Sequence, residues 1–197
     1  MKLFRDFRAE RNINRALALS EFKSQEARKT LLKLKDSADI AVPRLLQMFT
    51  LSSQADKTRL EKLLHHIVDN MTLNAFCRTL RDNELRTVPA IVEILSTNQR
   101  FDPNLLLEYL DDPSMPKTAL LDVLSAHVDQ IDGHALLRRL GALDLSDRHL
   151  AFVLLEKIAD ETLLPELINR ASAKDLQIRQ GVARLLGKRQ GIHPLDA

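Results

Sequence analysis

The 197-residue sequence predicts an all-α fold, an α-solenoid of about six helix-turn-helix repeats of about 30 residues each. Three observations predict it. Apolar residues recur at spacings of three and four, which places them on one side of a helix. Alternation with a period of two is nowhere sustained, so no sheet is expected. The amphipathic pattern itself recurs about every 30 residues, the signature of a stacked array.

The repeats are expected at residues 8–37, 38–69, 70–100, 101–129, 130–160 and 161–190, one array over 1–190, with 191–197 as a tail or the start of a linker. In the first helices the anchors Phe49, Leu80, Leu110 and Leu140 stand 31, 30 and 30 residues apart. Counting back 31 residues from Phe49 reaches Ala18, flanked by Leu17 and Leu19. Pro43, Pro103 and Pro165 fall near the starts of first helices, where a missing N–H costs no helical bond. Asp102, directly before Pro103, reads as an N-cap.

Polar turns follow the first helices: Ser52-Ser53, Asp82-Asn83, Asp112-Pro113, Asp144 with Ser146, and Lys174-Asp175. After them come Lys57, Arg86, Lys117, Arg148 and Arg179, spaced 29, 31, 31 and 31. Asp82, Asp144 and Asp175 each stand four residues before one of these cations. An aspartate at a helix start with a cation one turn later can bridge to a neighbouring repeat. The second helices are marked by Leu60, Leu63, Leu64 and Ile67, by Ile91, Ile94 and Leu95, by Leu120, Leu121 and Leu124, and by Val182, Leu185 and Leu186. A unit of this size cannot bury its apolar face alone, so neighbours must stack.

Composition narrows the function classes. At 45% hydrophobic and 28% charged residues the chain is globular rather than disordered. With 29 basic and 27 acidic residues, nothing global demands a nucleic-acid or membrane partner. A single cysteine excludes a disulfide framework and a multi-thiolate metal site. Aromatics at 4%, without tryptophan, argue against a base-stacking platform. No apolar run reaches signal-peptide or membrane-span length, so a cytoplasmic protein without a transmembrane segment is expected.

The last repeat carries the sharpest likeness to a known family. Leu163-Leu164-Pro165-Glu166-Leu167-Ile168, then Asp175-Leu176-Gln177-Ile178-Arg179, then Gly181-Val182-Ala183-Arg184-Leu185-Leu186-Gly187 resembles a HEAT repeat. The shared pattern is an early proline in the first helix, an aspartate in the turn, and an apolar-arginine pair opening the second helix. Asp144, Arg148 and Val153-Leu154 repeat it in the fifth unit, and earlier units keep the period with less of the consensus. The resemblance covers about residues 38–190 and implies a fold. HEAT and armadillo arrays mostly bind other proteins on a concave face lined by second helices, so it also implies a protein partner or an adjoining domain.

Few individual residues offer chemistry. Neighbouring His65 and His66 point about 100° apart on a helix, the wrong geometry for one metal. Asp69 at i+4 offers His65 a surface partner, and His127 and His134 are placed to approach across a turn. Cys77 lies among Leu73, Phe76 and Leu80 and is expected to be buried and inert. HEAT-fold hydroxylases use His-Glu dyads, which this chain lacks. HEAT-like DNA glycosylases line a cationic hollow with tryptophan and tyrosine, and here only Tyr109 is present, in a first helix. Residues 1–132 contain no glycine, so no phosphate loop is available there. No catalytic residue, cofactor or metal is expected.

The sequence therefore points to a non-enzymatic interaction scaffold or regulatory module that binds a protein or peptide segment on the concave face. The polar positions of the second helices are its expected contacts: Arg59, Lys62, His66, Glu93, Asp122, His127, Glu156, Arg184 and Lys188. The alternative is a nucleic-acid-binding array using basic terminal repeats, with Arg5, Arg8, Arg11 and Arg15 at one end and Arg170, Lys174, Arg179, Arg184, Lys188 and Arg189 at the other. The amphipathic segment of Leu3, Phe4 and Phe7 with interleaved arginines is expected to cap the first repeat; membrane-surface binding is its minor reading.

Overall fold

The computed structural model describes residues 2–19, 21–82, 86–158 and 160–189. Asn83 and the expected tail at 191–197 lie outside the described residues. In chain order the elements are α1 (Lys2–Ala18), α2 (Gln25–Lys35), α3 (Ala38–Leu51), α4 (Gln54–Ile67), α5 (Leu73–Arg81) and α6 (Val88–Ser96). They continue with the 3-10 helix η1 (Pro103–Asp111), α7 (Lys117–Ala126), η2 (Val128–Gln130), α8 (Gly133–Arg139), η3 (Leu140–Ala142) and α9 (Leu145–Lys157). Last come η4 (Glu161–Leu163), α10 (Leu164–Arg170) and α11 (Leu176–Arg189). The protein is all-helical, with no strand among the described residues. Each of the six thirty-residue windows holds two main helices, α1 starting ahead of its window.

Helix starts follow local chemistry. Ser24 Oγ accepts from the Ala27 N–H at 3.1 Å, Asp132 Oδ1 from Ala135 at 3.1 Å and Asp144 Oδ1 from Asp147 at 2.9 Å. In each case a side-chain oxygen takes one of the donors that a helix N-terminus leaves unpaired.

Three expectations need correcting. Pro43 lies inside α3, the sixth residue of the helix that starts at Ala38, so its missing N–H removes a bond to the Asp39 carbonyl. The segment opened by Pro103 is a 3-10 helix rather than an α-helix. Its buried residues Pro103, Leu106, Leu107 and Leu110 form two i, i+3 pairs, and such pairs eclipse on a three-residue turn. Phe49 is only half-buried, with the Lys57 ammonium 5.9 Å from its ring centre, whereas Leu80, Leu110 and Leu140 are fully buried.

The chain divides into two compact units, one of Met1–Asp102 with Ser114–Ala119 and the other of Pro103–Pro113 with Leu120–Ala197. In the first unit α1 packs on α2 and α3, α3 on α4 and α5, and α4 on α6. Leu45, Leu63, Leu64, Phe76, Ile91 and Ile94 are fully enclosed there. Each such side chain contributes about 1.5–3 kcal/mol by leaving water. In the second unit α8 packs on η1 and α9, and α11 on α9 and α10. Gly181 lets α11 close on α9: a Cβ at this position would stand 2.2 Å from Phe152 Cε2.

Polar side chains tie segments about one period apart within each unit. In the first, Asn98 Nδ2 donates to the His65 carbonyl at 2.9 Å across 33 residues. Asn70 Oδ1 accepts from the Asp102 N–H at 2.7 Å across 32 residues, and Lys35 pairs with Asp69 across 34. In the second, Asn104 Oδ1 accepts from the Asp132 N–H at 2.7 Å across 28 residues, and its Nδ2 donates to the Gln130 carbonyl at 2.8 Å. His134 Nδ1 lies 2.9 Å from Glu166 Oε2 across 32 residues, and its Nε2 lies 2.9 Å from Thr162 Oγ1.

Candidate interaction surfaces

The nine second-helix positions do not form one class. On α4, Lys62 is exposed on the side opposite Leu60, Leu63, Leu64 and Ile67. Arg59 is also exposed, but its Nη2 donates to the Leu19 carbonyl at 2.7 Å. The His66 ring tilts against Phe22 with centroids 4.6 Å apart, and its Nδ1 lies 2.8 Å from the Lys62 carbonyl. Glu93 on α6 and Asp122 on α7 are exposed. His127 is 3% exposed and so offers no surface to a partner. Helix α7 ends at Ala126, so the helical phase that would turn His127 outward stops one residue before it.

Glu156, Arg184 and Lys188 come together. Lys188 Nζ donates to Glu156 Oε2 at 2.7 Å, and Arg184 Nη2 lies 2.9 Å from Oε1. Burial pushes the Glu156 carboxyl up, but the Lys188 bond and the two cationic charges outweigh it and hold it below the ordinary glutamate range. The carboxylate therefore joins α9 to α11, and two of the expected contact cations are engaged by it.

Other histidine and carboxylate expectations are rearranged as well. Asp69 does not serve His65. Its carboxylate accepts the Lys35 ammonium and the N–H groups of Met71 and Thr72, the latter at 3.0 and 3.1 Å. Burial raises this carboxyl, and the Lys35 and Thr72 bonds overcome that and hold it below the usual aspartate value. His65 Nε2 instead lies 4.0 Å from Glu61, one turn back. His134 engages Glu166 and Thr162 rather than His127. Cys77 is buried, as its apolar neighbours predict.

Helix α1 packs on α2 and α3, but not through the side that carries Phe4 and Phe7. Ala9, Asn12, Ile13 and Ala16 face inward, and Asn12 Nδ2 donates to the Lys33 carbonyl at 3.2 Å. Small residues there let α1 lie close on α2. Phe4 is 83% exposed and Phe7 68% exposed, so the aromatic residues point away from the core. At 100° per residue, Phe4, Phe7, Arg8, Arg11 and Arg15 share one outward stripe opposite the buried side. Between α1 and α2 lies a cleft of about 370 Å³ lined by Arg5, Arg8, Arg11 and Lys33 with Asn12, Ser37 and Asp36. Arg5 is held at its edge by Asp39, with Nη2 2.8 Å from Oδ2. Arg8, Arg11 and Lys33 form no ion pair among the described residues.

Lys33 is the cation of this cleft that the sequence pattern does not show, and Asn12, Asp36 and Ser37 carry no signal there either. The three-residue spacing of Arg5, Arg8 and Arg11 was visible, but a lysine 22 residues beyond Arg11 joins them only through packing. Among the described residues no group of three or more His, Cys, Asp or Glu could hold a metal ion, and no helix is long and apolar enough to cross a membrane. Comparison with protein-family models, curated proteins and solved structures returned no match.

Proposed function

We propose that the chain is a non-enzymatic interaction module, a HEAT-like α-solenoid that binds a protein or peptide segment along the outward side of its second helices in the cytoplasm. One observation carries the reading: the polar ties recur at close to the sequence period in both units, and they leave Lys62, Glu93 and Asp122 exposed. Side chains spent on holding successive helix pairs together are unavailable to a partner. Those that remain outward on second helices, Lys62 and Glu93 in the first unit and Asp122 in the second, are available to a partner, and adjacent helices within a unit offer an extended segment periodic contacts.

The nucleic-acid reading is weaker at the carboxyl-terminal end. Arg184 and Lys188 neutralise Glu156, Arg170 lies 3.4 Å from Glu166, and Arg179 donates to the Ala173 and Lys174 carbonyls at 2.7 and 2.9 Å. Cations engaged in this way must break those contacts before they can meet phosphates.

The test is retention. The immobilised chain is incubated with cell lysate with and without nuclease, beside a Lys62→Glu/Glu93→Lys variant. The reading expects a discrete protein retained in both conditions and lost with the variant. Retention abolished by nuclease, or unchanged by the double substitution, would sink it.

A further inference from the structure

We infer that the outward stripe of α1, together with the cationic cleft beside it, is a docking surface for an anionic phospholipid bilayer. The phosphate headgroups enter the cleft, and Phe4 and Phe7 enter the interface between headgroups and acyl chains. The inference is independent of the second-helix reading and concerns a different face of the chain.

The two phenylalanines stand one turn apart with most of their surface in water, on a helix whose inward side is already filled by Ala9, Ile13 and Ala16. Their exposure is therefore not a deficit that the fold repairs elsewhere. Arg8, Arg11 and Arg15 share their stripe, and the same aromatic pair lines a second hollow with Arg5, Arg8 and Arg11. Long guanidinium stems can lie along an apolar surface while their heads reach polar groups, so aromatic and cationic residues serve one interface together.

Charge complementarity fixes the class of occupant. Four cations line the cleft with the carboxylate of Asp36. Arg5 is paired with Asp39 at the edge, which leaves Arg8, Arg11 and Lys33 against Asp36, and the volume of about 370 Å³ admits a phosphate with part of its headgroup. Asn12 and Ser37 on its wall can add neutral hydrogen bonds to phosphate oxygens. The occupant must also accept two phenyl rings projecting from one helix face. A single nucleic-acid strand is bound in grooves that track its backbone, with aromatics stacking successive bases. A bilayer presents phosphate and hydrocarbon across a continuous surface and needs no second wall. The cationic residues give recruitment that weakens as salt rises.

The whole chain is tested by flotation with vesicles of phosphatidylcholine alone and with about three-tenths phosphatidylserine. Binding is expected only to the anionic vesicles, reduced on the order of tenfold by Phe4→Ser/Phe7→Ser and by Arg8→Glu/Arg11→Glu. Arg138→Glu, at an exposed position of α8 in the other unit, leaves it unchanged. A Phe4→Trp variant gives a second readout, because the chain has no other tryptophan. Its emission is expected to shift to shorter wavelength on anionic vesicles, showing that the ring leaves water. No binding, equal binding to neutral vesicles, or an unshifted emission overturns the inference. Preferential capture of a labelled single-stranded oligonucleotide, lost in the same variants, also overturns it and assigns the surface to nucleic acid.

Discussion

Arg148 joins the carbonyl end of one helical segment to the carboxylate that starts another: its Nε donates to the Leu140 carbonyl at 2.8 Å and its Nη1 to Asp175 Oδ2 at 2.7 Å. Asp175 also accepts from the Gln177 and Ile178 N–H groups at 2.9 and 3.2 Å. These backbone bonds lead the effects that hold its carboxyl below the ordinary aspartate range, with the Arg148 charge adding to them. One guanidinium thus serves two successive helix pairs.

Removing that guanidinium should cost more than a surface ion pair. Arg148 is largely covered, and Arg148→Ala leaves the Leu140 carbonyl without its charged donor, a loss of about 1–2 kcal/mol. Asp175→Asn keeps an acceptor for the helix start and should lower the melting temperature less. Thermal unfolding of the two variants compares them directly. A larger drop for the asparagine variant would show that the capping charge, not the bridge, dominates.

Acid should loosen the Asp69 and Glu156 ties. Both carboxyls sit below their ordinary values in the folded chain, so the unfolded chain takes up protons first as pH falls. Their contribution is complete above about pH 5.5, where the unfolded groups are ionised, and disappears as pH falls through the folded values. Asp69→Asn retains an acceptor for Thr72 but discards the Lys35 pair. Its melting temperature should fall short of wild type at pH 7 and approach it at pH 3; a gap that stays constant contradicts the assignment.

How much of this was legible in the residues depends on the range of the interaction. The period, two helices per window, the buried runs of α4 and α11, and the caps at Asp144 and Asp175 follow from spacing within a few turns. The bridge from Arg148 to Asp175 was readable because Asp144 and Arg148 recur as Asp175 and Arg179, 31 residues on in the sequence. Helix α1 was ambiguous: Phe4, Phe7 and Arg11 have the same three- and four-residue spacing as Ala9, Ile13 and Ala16, and only packing decides which side goes inward. His127 depended on where α7 stops. The amides of Asn70, Asn98 and Asn104 bond to main chain 26–33 residues away, and that leaves no local pattern.

Gly181 is required by an approach, not by a backbone angle. An added methyl group would meet the Phe152 ring at 2.2–2.6 Å, so Gly181→Ala must push α11 from α9 or turn the ring out. Alanine's better helix propensity, about 1 kcal/mol, works in the opposite direction. Overpacking of this kind costs about 1–3 kcal/mol, so a net loss is expected. Phe152→Leu removes the ring and should make the alanine substitution harmless or favourable in the double variant. Denaturant midpoints for the four proteins of that cycle measure the coupling, and strict additivity would show that the ring is not what the methyl group meets.

Pro43 offers the opposite experiment, because it breaks a local rule inside a helix that nevertheless runs from Ala38 to Leu51. Its ring removes the N–H that would reach the Asp39 carbonyl, and proline in a helix interior costs about 3 kcal/mol relative to alanine. Part of that cost is offset in the folded chain, since the half-buried ring packs there and the unfolded chain is stiffer with proline present. Pro43→Ala restores the donor and should raise the melting temperature, by less than the full propensity difference. Its effect on α3 is the informative part. A continuous hydrogen-bond ladder straightens a helix, and α3 carries contacts to α1, α4, α5 and α6. A variant that gains helix content but melts lower would show that these neighbours require the bend proline imposes. Higher stability with unchanged helix content would mean that proline bends nothing and only leaves a carbonyl unpaired.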